Sequence, residues 1–468
     1  MIDKFDIVIG LEIHAELNTA SKCFCGCANT FGKRPNENTC PVCLAMPGAL
    51  PVLNRSAVEK TIMAGLAIDC KINDLAIFER KHYFYPDLSK AYQISQLVRP
   101  ICLGGGIKLK HGKHVRLNRI HLEEDAGKLT HNAVNQTSFV DYNRGGVPLI
   151  EIVTEPDISN AAEAVEFLEE VRSRLIFAGV AHCRMEQGGM RCDVNLSLKP
   201  KGQKEYGNRC EIKNLNSFRA VSRAIEFEAN RQAEILSSGG KITTETRKWD
   251  DTKCKTLSMR NKEDSQDYRY FPDPDLYAVR ITPDDVEKIR AVRPRLAHEL
   301  REEFTTKFSL SAYDADLLTR SKEVSQFFLD CLALLHEPKQ ISNWIITDLF
   351  ARAEEITISP AHLTEIIKMV LKKEITKVVG LQLLDEILKK PTAPRELATK
   401  LGMLTAISDA QIVAVLRDLR QTRPNLVTDY TENPKKVLPF LIGQVMKATQ
   451  GKAKSEIVEK HIAEIFKA

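Results

Sequence analysis

The sequence predicts an α+β chain: a β-rich N-terminal region, then a helical region, then a small helical tail. Three observations carry this. Phe5 to Leu17 alternates apolar and polar residues with the period of two that a half-buried strand requires. Further strand-like stretches recur through residues 115–216. From near Val292 the pattern changes to helical spacing with few glycines, as in Leu349, Ala353 and Ile356. The expected boundaries are 1–292, 293–406 and 407–468. At 468 residues the chain has room for about three domains of ordinary size.

The first strand places Ile7, Ile9, Leu11, Ile13, Ala15 and Leu17 on one face. Glu12, His14 and Glu16 occupy the other. A half-exposed edge strand would explain that polar face as merely solvated. One wall of a metal or phosphate site explains it too, and also accounts for two carboxylates and an imidazole in consecutive facing positions. A cysteine-dense loop follows. Cys25 and Cys27 form a C-x-C pair, and Cys40 and Cys43 form a C-x-x-C pair. Two short knuckles converging across a loop supply four thiolates to a tetrahedral zinc, so 23–43 reads as a zinc knuckle. Cys23 is a fifth candidate for that site. A redox role for Cys40 and Cys43 lacks the helix start that such motifs have. The remaining seven cysteines, such as Cys70 and Cys331, read as small core residues.

Asn54 to Ile68 has helical spacing through Val58, Ile62 and Leu66. Next, FERKHYFYPDLSKAYQISQ crowds Lys81, His82, Tyr83, Tyr85, Asp87, Lys90, Tyr92 and Gln93 around Pro86. The proline and its polar neighbours make this a loop. Aromatics interleaved with lysines can stack a base or ribose and neutralise phosphates, so a substrate loop is expected. In VRLNRIHLEEDAGKLTH, an extended chain puts His121, Glu123 and Asp125 on one face and Glu124 on the other. A bulge there would reverse which glutamate faces the site. AGKLT lacks the glycine spacing of a phosphate-binding loop. GVPLIEIVTEPD is a strand carrying Glu151 inside an apolar run, where a carboxylate is costly unless paired or bound to a cation.

Asn160 caps a helix striped by Val165, Leu168, Val171 and Leu175, and Gly179 ends it. Two more strands carry polar faces: Asp193 and Asn195 in one, Glu211 and Lys213 in the other. A helix over about Phe218 to Leu236 follows, then a loop-rich region to about 290 containing DYRYFPDPD. The PTAP run over 391–394 marks a connection between helices. In the tail, Val437, Phe440, Leu441, Gln444 and Val445 form one amphipathic face. Ile457, Val458, Ile462, Ile465 and Phe466 form another. Seven lysines face three acids from Lys435 onward, a mildly basic segment.

Hydrophobic content of 43% and charged content of 28% suit a soluble globular protein, and the net charge of +5 permits a nucleic-acid partner without demanding one. No apolar run is long enough to cross a bilayer, and the N-terminus lacks a signal-peptide pattern, so a cytoplasmic protein without membrane contact is expected. Glu12, His14, Glu123 or Glu124, and Glu151 all lie in strand-end contexts. Should they converge, mostly oxygen ligands with one imidazole suit Mg²⁺ or Mn²⁺ better than zinc. A hard cation points to phosphate chemistry. No H-E-x-x-H or G-x-S-x-G occurs, which removes the usual zinc peptidase and serine hydrolase signatures.

The runs IGLEIHAEL, NTCPVCLAMPGALPVLN, RKHYFYPDLSKAYQISQ, HLEEDAGK, GVPLIEIVTEPD, MRCDVNLSL, EIKNLNSF, DYRYFPDPDL and FLIGQVMKATQGKA span the chain in order. In these runs the chain resembles the B-subunit family of the bacterial aspartyl-tRNA(Asn)/glutamyl-tRNA(Gln) amidotransferases. The resemblance implies a β-rich catalytic cradle, a helical domain and a helical tail that contacts tRNA. It implies that ATP phosphorylates the side-chain carboxylate of a misacylated Glu- or Asp-tRNA, and that ammonia then displaces the phosphate. The ammonia would come from an amidase-type glutaminase partner, with a small third protein making up a heterotrimer.

By the same resemblance His14, Glu124 and Glu151 look like Mg²⁺ ligands, with Glu12 and Glu123 near, and Glu12 joins them as catalytic. Cys25, Cys27, Cys40 and Cys43 look like the zinc knuckle that some members keep, while Cys23 stands where an apolar residue is more usual. Lys81, Tyr83, Tyr85, Lys90, Tyr92, Asp193, Asn195 and Lys213 are the candidates for substrate and ATP contacts. A tRNA-binding scaffold with a structural acidic cluster, or a metal-dependent hydrolase, would be the competing readings.

Overall fold

The alternating stretches of the N-terminal region pair into one large twisted sheet. We describe it from a computed structural model, which describes residues 2–132, 134–261, 268–353, 355–404, 409–449 and 453–466. Its main strands are β1 (Phe5–Glu16), β2 (His114–Glu124), β3 (Pro148–Thr154), β4 (Met190–Pro200), β5 (Cys210–Leu215), β6 (Glu245–Asp250) and β7 (Lys255–Asn261). The spatial order is β7-β6-β5-β4-β1-β3-β2, continued by the short strands Cys102–Leu103 and Lys71–Ile72. The first strand in sequence therefore lies inside the sheet, flanked on both sides by antiparallel partners. The edge-strand alternative for its polar face is thereby excluded.

One face of the sheet is covered by helices. Ile9, Leu11, Ile13 and Ala15 of β1 are buried there with Ile150 and Ile152 of β3 and Val194 and Leu196 of β4. The helices Ala161–Phe177 and Phe218–Ser237 pack on each other and over this face. Phe167, Leu168, Val171 and Leu175 supply the stripe of the first. Each fully buried aliphatic side chain contributes ~1.5–3 kcal/mol, so this face fixes the register of the strands. Asn160 caps the first helix by accepting from the Glu163 N–H, and Ser217 caps the second through Ala220. The second helix also connects β5 to β6, which run parallel and so need a crossover between them.

The stretch from 239 to 290, expected as loop, contains β6 and β7. β6 reads ETRKWD, too polar to announce a strand. Only Trp249 is fully buried in it, packed edge-on against Phe227, and the pairing to β5 and β7 supplies the rest. Six of the seven cysteines expected in the core are buried. Cys254 is the exception, exposed in the turn between β6 and β7.

The chain divides into two compact units, Met1–Leu296 and Ala297–Ala468. The division falls four residues beyond the expected 292. The second expected boundary, 406/407, lies outside the described residues. The second unit is helical. Within it, the helices Asp409–Thr422, Asn425–Glu432, Pro434–Ala448 and Ser455–Phe466 enclose a small core of Ile412, Leu416, Tyr430, Leu441, Val458 and Phe466, among others. Val437, Leu441 and Val445 face inward as the spacing predicts, whereas Phe440 is 37% exposed. Among the described residues no helix is long and apolar enough to cross a membrane.

Leu441 is completely buried in a core this small. Leu441→Ala is expected to cost the tail ~2–5 kcal/mol. Amide hydrogen exchange should show lost protection across 409–466 and unchanged protection in the strands of the first unit.

Candidate metal centre

The second face of the sheet is polar, and cross-strand register decides what meets on it. One rung runs across four adjacent strands: His121 of β2 lies opposite Glu151 of β3, Glu151 opposite His14 of β1, and His14 opposite Arg191 of β4. The neighbouring rung is Arg119, Val153, Glu12 and Asp193. On the other side, Leu149 lies opposite both Glu123 and Glu16. Side chains on one rung stand about 5 Å apart, so charged groups there interact directly.

His14 Nε2 is 3.7 Å from Glu123 Oε1 and 3.5 Å from Glu151 Oε2. One donor atom from each of the three side chains lies within 4.8 Å of the others. Two ligands at ~2.1 Å from a magnesium ion stand roughly 3.0 Å apart when adjacent, so a modest inward movement closes this group around a hard cation. Burial pushes the Glu151 carboxyl up, but His121 and His14 outweigh it and hold it well below the usual range. Burial pushes the His14 imidazole down, and Glu151 and Glu123 more than reverse that. His121, also between Glu123 and Glu151, is raised to about 9 against the effect of its own burial. Two buried carboxylates thus face two imidazoles, and each pair stabilises the charged form of the other.

Glu124 does not join this group. The pairing of β2 with β3 is unbroken from Ile120 to Glu124, and the register shift occurs only at Val153/Thr154. Alternation therefore keeps Glu123 on the polar face and turns Glu124 to the opposite side. There its carboxylate is held by Lys90 Nζ at 2.6 Å and by the Ile94 N–H at 3.0 Å. Resemblance implied Glu124 beside His14 and Glu151, whereas the structure groups Glu123 with these two side chains.

Four further candidates form a second cluster. Asn195 Nδ2 donates to Glu12 Oε1 at 2.9 Å, and Lys213 bridges Asp193 at 2.7 Å and Glu211 at 2.8 Å. Glu12, Asp193 and Glu211 also place one oxygen each within 4.8 Å of one another, and Lys213 already supplies a positive charge there. Burial, then Glu151 and Glu211, raise the Glu12 carboxyl. Lys81 points toward the first centre. Its ammonium sits 4.9 Å from the Tyr268 ring and 5.8 Å from the Tyr83 ring, and Glu123 and Glu151 raise its pKa against burial. Tyr83 donates to Gln93 at 3.3 Å. Tyr92 covers Arg80 at 4.3 Å instead of facing the centre, and Tyr85 is exposed.

Sequence reasoning gives no site role to His121, Arg191, Glu211 or Tyr268. His121 shares parity with Glu123 and was visible as such. Its pairing with Glu151 was not, because nothing local states which strand adjoins β2.

The cysteine loop gathers Cys25, Cys27, Cys40 and Cys43 with all four sulfurs within 4.8 Å. The Cys40 and Cys43 sulfurs are 3.8 Å apart, the spacing of about 3.8 Å that tetrahedral Zn–S bonds of 2.3 Å impose. Cys23 is buried beneath and outside this group, its backbone N–H donating to the Gly146 carbonyl. Cys43 is lowered to about 4 by the Cys25 thiol donating to it, against burial, with the Cys40 N–H and Lys22 adding to the effect. Lys22 is completely buried, and its partners are the Asn38 and Tyr142 carbonyls and Cys43 Sγ at 3.7 Å. An ammonium buried among neutral groups is expensive unless negative charge stands nearby, which metal-bound thiolates supply. The donor set fits zinc.

The sequence model described as the GatB/GatE catalytic domain matches residues 7–287, and the one described as the GatB domain matches residues 326–466. The chain is 43% identical to the B subunit of the aspartyl/glutamyl-tRNA(Asn/Gln) amidotransferase of Persephonella marina, over 99% of this chain and 100% of that protein. It is 44% identical to the protein of the same name from Caldicellulosiruptor saccharolyticus, covering 98% and 99% of the two chains. The Brevibacillus brevis protein of that name is 42% identical over 99% of each.

Glu16, beside Asp125 on the polar face, gives a pH signature. Burial and the Asp125 charge raise its carboxyl from 4.5 to about 7. The folded chain then holds this proton more tightly than the unfolded chain, so its contribution to stability is lost as pH rises from 4.5 through about 7. Glu16→Gln cannot ionise. Thermal melts at about pH 5 and about pH 8 should show the variant gaining on the wild type at the higher pH.

Proposed function

The chain belongs to the GatB/GatE family, and on that premise we propose that it is the amidotransferase subunit that converts misacylated Glu-tRNA(Gln) and Asp-tRNA(Asn) to Gln-tRNA(Gln) and Asn-tRNA(Asn) with ATP. The observation that carries the reading is the rung joining His14, Glu151 and His121, with Glu123 beside it and Lys81 facing it.

The substrate's side-chain carboxylate has a pKa near ~4 and is already a nucleophile at neutral pH. It needs no general base. It does need help to meet a triphosphate, because both are anions. His14, Glu123 and Glu151 would hold Mg²⁺ or Mn²⁺, which supplies charge neutralisation at the phosphates when bound. Lys81 adds a second positive charge from the aromatic side of the centre, where Tyr83 and Tyr268 keep its ammonium in place. Lys213 offers a third, held by Asp193 and Glu211 beside Glu12. The carboxylate oxygen attacks the terminal phosphorus of ATP, ADP leaves, and an acyl phosphate forms. Ammonia then attacks the carbonyl carbon, and the phosphate departs with the bonding electrons, leaving the amide.

Acyl phosphates hydrolyse readily, so the nucleophile has to arrive without bulk water. An amidase-type glutaminase delivering ammonia, with a small third protein making up a heterotrimer, fits that requirement, and a cytoplasmic location accompanies tRNA as substrate. The basic helical tail is the segment we assign to tRNA contact. Zinc at Cys25, Cys27, Cys40 and Cys43 is structural in this reading, since four thiolates leave no open position for chemistry.

Labelled ATP incubated with the assembled complex, glutamine and Glu-tRNA(Gln) reads the phosphorylation step directly. Glu123→Gln and Glu151→Gln should each lower it by roughly 100-fold or more, with glutaminase assembly intact. Wild-type rates in both variants would remove the proposed centre. Glu124→Gln should leave Mn²⁺ binding unchanged, because that carboxylate serves Lys90. Elemental analysis of protein purified without chelator is expected to find about one zinc per chain.

A further inference from the structure

Glu123 divides its oxygens between two imidazoles. Oε1 lies toward His14, and Oε2 lies 3.5 Å from Nε2 of His121. The same His121 nitrogen is 3.3 Å from Glu151 Oε2. His121 is 3% exposed and stands directly across the ladder from Glu151. Behind it, on the same face of the same strand, Arg119 points Nε at the other ring nitrogen, Nδ1, at 3.4 Å. A guanidinium N–H only donates, so in the neutral ring Nδ1 accepts. Nε2, the atom that faces both carboxylates, carries a proton in the neutral ring and in the imidazolium alike.

We infer that His121 is a positioning residue of the metal centre: with Arg119 behind it, its Nε2–H spans Glu123 Oε2 and Glu151 Oε2 and holds the two carboxylates turned toward His14. The inference rests on the reading of His14, Glu123 and Glu151 as a cation site. Ser95 Oγ donates to Glu123 Oε2 at 3.0 Å, whereas His121 Nε2 lies between the two carboxylates, whose like charges repel when no cation is bound. A donor shared between them preorganises the pair and leaves Glu123 Oε1 directed at the site. His121 itself stays outside the group of donor atoms that close on one point. It acts on the ion only through the carboxylates, as hydrogen-bonded partners of metal ligands do elsewhere.

The test is Mn²⁺ binding to the full-length chain in its complex, followed by calorimetry and by the Mn²⁺ spin-resonance signal. His121→Leu removes the donor and is expected to weaken binding about 10–100-fold. His121→Gln places an amide N–H at similar reach and is expected to recover most of that loss. Arg119→Met should shift affinity the same way by a smaller factor, and it carries the test should the leucine variant fail to fold. In the phosphorylation assay, the leucine variant should need more Mg²⁺ yet approach the wild-type rate when Mg²⁺ is saturating. Wild-type affinity in both His121→Leu and Arg119→Met overturns the inference. Equal weakness in the leucine and glutamine variants also overturns it, since packing would then be the cause. The cation-site reading fails separately: wild type would bind no Mn²⁺, or Glu151→Gln would bind it as the wild type does.

Discussion

The pairing of β1 with β3 and β4 is the constraint on which the rest depends. Antiparallel register sets His14 opposite Glu151 on one side and Arg191 on the other, and β3 in turn sets Glu151 opposite His121. The helix-covered face enforces this register, because a slip by one residue would expose Ile9, Leu11 and Ile13 and bury Glu12, His14 and Glu16. The apolar face thus stabilises the charged one. Side chains that repel or cost desolvation energy are held within a few ångströms of each other by a core they do not touch.

The charge arrangement follows from that placement. Along β1 the polar face passes from Glu12 with Asn195, through His14 between two carboxylates, to Glu16 beside Asp125 and Arg191. Carboxylates and imidazoles share the middle, and cations stand at its margins: Lys213 toward one end, Arg191 and Arg144 toward the other, Lys81 in front. The four-cysteine knuckle is tied to the same region. Lys22 reaches from the knuckle to the Tyr142 carbonyl, Cys23 donates to Gly146, and Ser89 donates to the Cys43 carbonyl just before Lys90. The knuckle therefore braces the loop that carries Lys90 against the end of β2 that carries Glu124.

Legibility differed by residue. The two faces of β1, the cap at Asn160 and the four knuckle cysteines were readable because each depends on neighbours within a few positions. Glu123 and Glu124 show where that stops. Parity puts Glu123 with His121, a possible bulge leaves both glutamates open, and the resemblance favours Glu124, whereas the group with His14 and Glu151 contains Glu123. Only the unbroken ladder from Ile120 to Glu124 decides it. β6 was missed for a related reason: its residues are polar, and its stability comes from pairing with β5 and β7 and from a single buried tryptophan.

The sequence by itself determined the α+β class, the change to helices near Val292, the polar stripe of β1, the four-cysteine knuckle and the family. Those features are written in local periodicity, short spacings and runs of matching residues. The tertiary structure alone decided that His121 stands across from Glu151, that Glu123 and not Glu124 meets His14, and that Lys22 is buried against Cys43. Each of those is a contact between segments far apart in the chain, and a strand's alternation names the face of a side chain but not the neighbour it will face.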